Sequence, residues 1–115
     1  MNKAFIMGRL TKDPEQRMST SGIETSRITV AVNRPKTKNE EQQADFFNCI
    51  AFRKTAEIIN KYFNKGQMIL IIGSLQTRTR KMQDGEKRYA TEIIIEEVKF
   101  VGSSNQNTEV KGETS

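Results

Sequence analysis

Ala44-Asp45-Phe46-Phe47-Asn48-Cys49-Ile50-Ala51-Phe52-Arg53-Lys54 reads as a strand running directly into a helix. Side chains alternate in a strand, so Phe46, Asn48, Ile50 and Phe52 share one face and Phe47, Cys49 and Ala51 the other. The second set is apolar and mostly small, which suits the crowded inside of a narrow barrel. The first set mixes phenylalanines with an asparagine and is followed by Lys54, so it reads as the outer face. The period then changes. Over residues 54–64, Ala56, Ile59, Tyr62 and Phe63 form an apolar stripe at helical spacing, and Gly66 is placed to end the helix.

On the N-terminal side, residues 4–10 are a short run of strand formers ending before the turn signal Asp13-Pro14, and Ser19 to Gly22 gives a second turn. Residues 25–33 alternate, with Ile28, Val30 and Val32 on one face and Arg27, Thr29 and Asn33 on the other. Residues 34–43 are polar and without periodicity, as an exposed hairpin loop would be. On the C-terminal side, residues 68–80 read as a long strand in which Gly73 marks a bend or bulge. Asp84-Gly85 is a hairpin turn signal. Residues 87–101 read as the last strand, whose alternation slips at Glu96-Glu97 and predicts a bulge there. From Ser103 the chain is too polar to bury a core, giving a domain over 1–102 and a disordered polar tail over 103–115. The predicted class is all-β with one helix. Its strand and helix order is that of the five-stranded OB-fold barrel, with the helix between strands 3 and 4. Another small α+β topology is the alternative.

Composition narrows the chemistry. The chain has 115 residues, enough for one core, and Lys plus Arg outnumber Asp plus Glu by 19 to 14, so a polyanion is a natural partner. There is no histidine and one cysteine, Cys49, so no Ser-His-Asp or Cys-His pair, internal disulfide or Cys-rich zinc site can be assembled. Cys49 reads as a small buried core residue. The longest apolar run, Met68 to Ile72, is far below the roughly 20 residues of a membrane helix, and no signal peptide is visible. A cytoplasmic protein that is not an enzyme, uses no cofactor and engages no membrane is expected.

Two constellations point to a partner. Phe46 and Phe52 on an outer face suit stacking under bases, worth roughly 1–3 kcal/mol per base. Six residues of strand separate them by about 20 Å, so they mark separate points along a bound strand. The competing reading, packing of either ring under a loop or in a subunit contact, stays level with it. The second constellation is Gln76-Thr77-Arg78-Thr79-Arg80-Lys81, with Arg88 returning on the partner strand and Arg34, Lys36 and Lys38 in another loop. A solvated hairpin tip is the ordinary meaning of such a run. Several basic loops around an exposed aromatic strand also form a groove able to follow a phosphate backbone.

The blocks Gly8-Arg9-Leu10-Thr11-Lys12-Asp13-Pro14-Glu15, Ala31-Val32-Asn33-Arg34, Ala44-Asp45-Phe46 with Asn48-Cys49, and Arg53-Lys54-Thr55-Ala56-Glu57 resemble the bacterial single-stranded DNA-binding protein family. So do Lys65-Gly66, Gly73-Ser74-Leu75-Gln76-Thr77-Arg78 and Tyr89-Ala90-Thr91-Glu92, in family order over about residues 2–101. The resemblance implies an OB fold, a homotetramer, and sequence-independent binding and protection of single-stranded DNA in replication, recombination or repair. It implies base stacking at Phe46 and Phe52, and a basic path over Lys54, Lys65, Arg78 and Arg88, to which Arg34, Lys36 and Arg80 add charge.

Three departures from the family stand out. Lys36 occupies a loop position, and Arg80 a position near the tip of the fourth predicted strand, where an aromatic is usual. Binding is therefore expected to lean more on phosphates. The chain stops at Val110-Lys111-Gly112-Glu113-Thr114-Ser115 without the usual acidic, hydrophobic tip, which puts tail-mediated recruitment of replication proteins in doubt. The rival readings are another nucleic-acid OB module, including an RNA binder, and a protein-interaction module that uses the aromatic face.

Overall fold

The chain folds into six strands and one helix: β1 (Ala4–Leu10), β2 (Glu15–Met18), β3 (Glu24–Asn33), β4 (Ala44–Phe52), α1 (Arg53–Tyr62), β5 (Met68–Lys81) and β6 (Lys87–Phe100). The computed structural model describes residues 1–36 and 41–102; Lys38 and the predicted tail over 103–115 lie outside the described residues. Strand neighbours run β1-β5-β6-β4-β3-β2, and β1 pairs a second time with β3, so five strands close on themselves. This is the OB-type barrel, with β2 added outside the ring. Because β2 is extra, the helix falls between β4 and β5, which are the third and fourth strands of the ring. All pairings are antiparallel except β4 with β6, which meet through Cys49–Ile93 and Ile50–Ile94.

The period-2 patterns of several strands converge on one core. Ile28 and Val30 from β3, Cys49 and Ala51 from β4, Ile69 and Ile71 from β5, and Ile93 and Ile95 from β6 are all buried. Ala56 and Ile59 of the helix and Phe63 just beyond it close one end of the barrel. Each large aliphatic or aromatic side chain in this set contributes about 1.5–3 kcal/mol of transfer free energy. Two glycines permit close backbone approach within the ring. A Cβ on Gly8 would lie 2.3 Å from the Ala31 carbonyl oxygen, and one on Gly73 2.2 Å from that of Ile94. Gly73 also borders the predicted bulge: Ile72 pairs with Glu97 and Gly73 with Ile95, leaving Glu96 as the extra residue.

The structure departs from the sequence pattern in two elements. The strand β2 gave no signal because Glu15, Gln16, Arg17 and Met18 are all exposed, so no side of it alternates. It is held by backbone pairing to β3 and by the Ser19–Gly22 turn, in which the Gly22 N–H donates to the Ser19 carbonyl at 2.9 Å. The helix ends at Tyr62, two residues short of the predicted end. Phe63 leaves the helix in an extended conformation (φ −108°, ψ 142°) and buries its ring, so Gly66 serves the following turn and not the helix terminus. The helix begins on Arg53, whose φ of 58° lies in the left-handed region that costs a non-glycine residue about 1–2 kcal/mol. That single residue converts strand direction into helix direction.

Candidate nucleic-acid interface

The β3–β4 register sets the outer face. Phe46 lies opposite Ala31, Asn48 opposite Thr29, Ile50 opposite Arg27 and Phe52 opposite Thr25. Phe46 is 64% exposed and Phe52 41%, as the alternation requires. Between them, the Thr29 hydroxyl donates to Asn48 Oδ1 at 3.1 Å. Ile50, predicted to share this outer face, is instead only 3% exposed. It sits where β6 joins β4, flanked by Arg27 on one side and Ile94 on the other, and a central-strand residue between two large neighbours keeps little contact with water. The two rings are therefore separate apolar islands.

On the inner face Phe47 packs against the core, while Cys49 and Ala51 are fully buried. Burial, aided by the negative charge of Glu92, pushes the Cys49 thiol up to about 12. A free cysteine buried in this way has the setting of an inert core residue. Among the described residues no group of three or more His, Cys, Asp or Glu could hold a metal ion, and no helix is long and apolar enough to cross a membrane.

Beyond Leu75 on β5 and before Glu92 on β6 every strand residue is exposed, so the two strands leave the barrel as a projecting arm. The arm is closed by the predicted Asp84-Gly85 turn: the Gly85 N–H donates to the Met82 carbonyl at 3.0 Å and the Glu86 N–H to Asp84 Oδ1 at 2.9 Å. Arg78 lies opposite Ala90, Arg80 opposite Arg88 and Lys81 opposite Lys87. Like charges directly opposite each other disfavour the pairing. Two such pairs in one short arm mark a surface shaped by something other than stability.

Between this arm and the β3–β4 wall lies a cleft of about 720 Å³. Arg78, Arg80 and Arg88, all singled out in the sequence, line it together with Lys12, Arg27, Asn48, Tyr89 and Glu92. Glu92 is 7% exposed and binds two arginines: Arg27 Nη1 donates to Oε2 at 2.7 Å, and Arg78 Nε lies 3.0 Å from Oε1. Tyr89 is 71% exposed in this basic cleft.

The other basic candidates are dispersed. Arg34 grips Asp45 at the base of the β3–β4 hairpin, with Nη2 donating to Oδ1 at 2.7 Å and Nε to Oδ2 at 3.0 Å. Those hydrogen bonds hold the Asp45 carboxyl below its ordinary range and raise the Arg34 guanidinium. Lys36 is exposed in the loop after β3, and Lys54 is exposed in the first turn of α1, two residues past Phe52. Lys65 is exposed in the turn after the helix, where its backbone N–H donates to Asp13 Oδ1 at 2.8 Å. None of these four lines the cleft.

Sequence reasoning missed Lys12, Arg27, Tyr89 and Glu92 as members of one site. A signal existed for two of them. Arg27 stands on the polar side of an alternating strand, and Glu92 immediately precedes the apolar run Ile93-Ile94-Ile95.

Comparison with known proteins agrees with this geometry. Residues 1–101 match the single-strand binding protein family. The single-stranded DNA-binding protein of Clostridium perfringens is 45% identical over 106 residues, covering 91% of this chain and 69% of that protein. Single-stranded DNA-binding protein 1 of Staphylococcus aureus is 42% identical over 108 residues, 93% of this chain and 69% of that protein. Among solved structures, the Plasmodium falciparum SSB in complex with ssDNA superposes with a TM-score of 0.80 at 22% identity, covering 89% of this chain and 96% of that one. The last likeness speaks to fold alone.

Proposed function

The chain belongs to the single-strand binding protein family, and we propose from that premise that it binds and protects single-stranded DNA without catalysis. The observation that carries the reading is the basic cleft, in which Arg78, Arg80 and Arg88 gather with Arg27 and Lys12 beside the outer face bearing Phe46 and Phe52. Phosphate neutralisation by the cleft supplies sequence-independent, salt-dependent affinity. Phe46 and Phe52 supply stacking surfaces at separate bases, and the flat guanidiniums of Arg80 and Arg88 extend the platform. Lys36, Lys54 and Lys65 carry the path beyond the cleft, with Arg34 contributing less because Asp45 already offsets its charge. The setting is the cytoplasm, during replication, recombination or repair.

The same reading includes a homotetramer. Its support is the outer side of β1, where Phe5 is 69% and Met7 53% exposed next to the half-buried Leu70 and Ile72. Along Ala4 to Gly8, β1 pairs only with β5, leaving its other edge open among the described residues. An open apolar edge of this kind is covered by another chain more often than left bare.

Titrating poly-dT and duplex DNA at two salt concentrations, with mass measured in solution, tests the whole reading. Tight binding to the single strand, weakening with salt, and a mass of about four chains are expected. Equal affinity for duplex would overturn it. Stronger binding to an RNA oligonucleotide of equal length would move the reading to an RNA module.

A further inference from the structure

We propose that Glu92 is a positioning residue that draws Arg27 and Arg78, from opposite walls of the cleft, into a single two-arginine seat for one backbone phosphate. This rests on the single-strand-binding reading and adds a division of labour within it.

The geometry begins at the fork in the sheet. β4 and β6 pair through Cys49–Ile93 and Ile50–Ile94, and Glu92 is the residue immediately before that junction, where β6 turns away from β4 to form the arm. From this point one oxygen, Oε2, accepts a 2.7 Å hydrogen bond from Arg27 of β3. The other, Oε1, lies 3.0 Å from Nε of Arg78 on β5, an ion pair outside hydrogen-bond alignment. A buried carboxylate thus bridges the barrel wall and the arm across the width of β4.

The exposures divide the roles. The Glu92 side chain is 9% exposed, so the carboxylate itself is withdrawn from a ligand, whereas Arg27 and Arg78 are 43% and 54% exposed. Each guanidinium has five N–H donors and spends only part of them on Glu92. Both arginines line the cleft, so the remaining donors belong to a site that also holds Arg80 and Arg88. Two arginines around one carboxylate keep a net charge of +1, matched to one phosphate. Held from below, they are oriented before the strand arrives, which reduces the ordering cost of binding.

Charge counting and positioning predict opposite signs, which makes the idea testable. Glu92→Gln removes a negative charge from a cationic cleft, so electrostatics alone predicts tighter binding and a steeper salt dependence. If Glu92 positions the arginines, the same variant binds oligo-dT about tenfold more weakly, the order of a lost charge-assisted contact, with no steeper salt slope. The titration is run on the full chain by fluorescence anisotropy at several salt concentrations. Glu92→Gln is also made in an Arg27→Ala/Arg78→Ala background, where a positioning residue has nothing left to position and the substitution should change affinity little. Equal or tighter binding by Glu92→Gln overturns the proposal. So does an equal loss in the double-arginine background, which would mark a general effect on the fold. If the unmodified chain fails to bind oligo-dT at all, the parent reading fails first and takes this inference with it.

Discussion

Arg80 and Arg88 face each other directly across the β5–β6 ladder, two cations in a position where opposite charges would strengthen the pairing. An arm built this way is less stable than it needs to be and is relieved by a polyanion. Arg88→Glu places an acid opposite Arg80, and the arm should gain about 0.2–1 kcal/mol from the new pair. Affinity for oligo-dT should fall in the same protein, with a shallower salt dependence. Thermal unfolding and anisotropy titrations check the two halves. A loss of both stability and affinity would contradict the account.

Stacking and charge should separate by mutation. Phe46→Ala and Phe52→Ala each remove an exposed ring and should weaken binding by roughly 1–3 kcal/mol while leaving the salt slope nearly unchanged. Arg80→Ala should instead make the slope shallower by about 0.7, one phosphate on a single strand. Affinity measured from low to high salt distinguishes them, and matching changes in both classes would remove the distinction.

Cys49 offers a pH prediction. Its thiol is raised to about 12 in the folded chain, against about 8.5 when unfolded. Below the unfolded value both states carry the proton and the thiol has no effect. Above it the unfolded chain loses the proton while the folded chain keeps it, so stability falls as pH rises, by at most about 1.4 kcal/mol per pH unit until the folded thiol titrates. Denaturant unfolding of the unmodified chain and Cys49→Ala across pH 8 to about 11 isolates this slope, which the variant should lack. Ellman's reagent should react with Cys49 only after unfolding.

Glycines of two kinds should behave differently. Gly73→Ala drives a Cβ into the Ile94 carbonyl oxygen at 2.2 Å, and the ladder must move, costing about 2 kcal/mol or more. Gly22→Ala meets nothing within 4 Å and pays only for a φ of +87°, about 1–2 kcal/mol. Melting temperatures of the two variants should fall in that order.

The sequence made the barrel legible wherever one side of an element is buried and the other wet. That held for β3, for β4 apart from Ile50, and for the β6 bulge, where two consecutive glutamates break an alternating strand. It failed for β2, which has no buried side to reveal it, and for the helix end, where the burial of Phe63 outweighed the glycine signal. Among candidate site residues, Phe46 and Phe52 were legible because alternation sets exposure within a strand. Arg27 and Glu92 are 65 residues apart and meet only because β6 passes beside β4, a relation that local periodicity does not contain. Ile50 illustrates the same limit: its exposure was decided by Ile94 on a strand more than forty residues later.

The short junction of β4 with β6 has a mechanical consequence. Two short welds close the ring, β1 with β3 and β4 with β6, and at the second Cys49–Ile93 and Ile50–Ile94 join strands that elsewhere have long partners in β3 and β5. Local opening at this seam would part the barrel wall from the arm without unzipping either hairpin, and amide exchange around Ile94 should precede that of the β5–β6 ladder. A strand bound in the cleft as proposed would touch both sides of the seam. Gripping DNA and keeping the barrel shut would then be one equilibrium, with the ligand as the clamp across the seam.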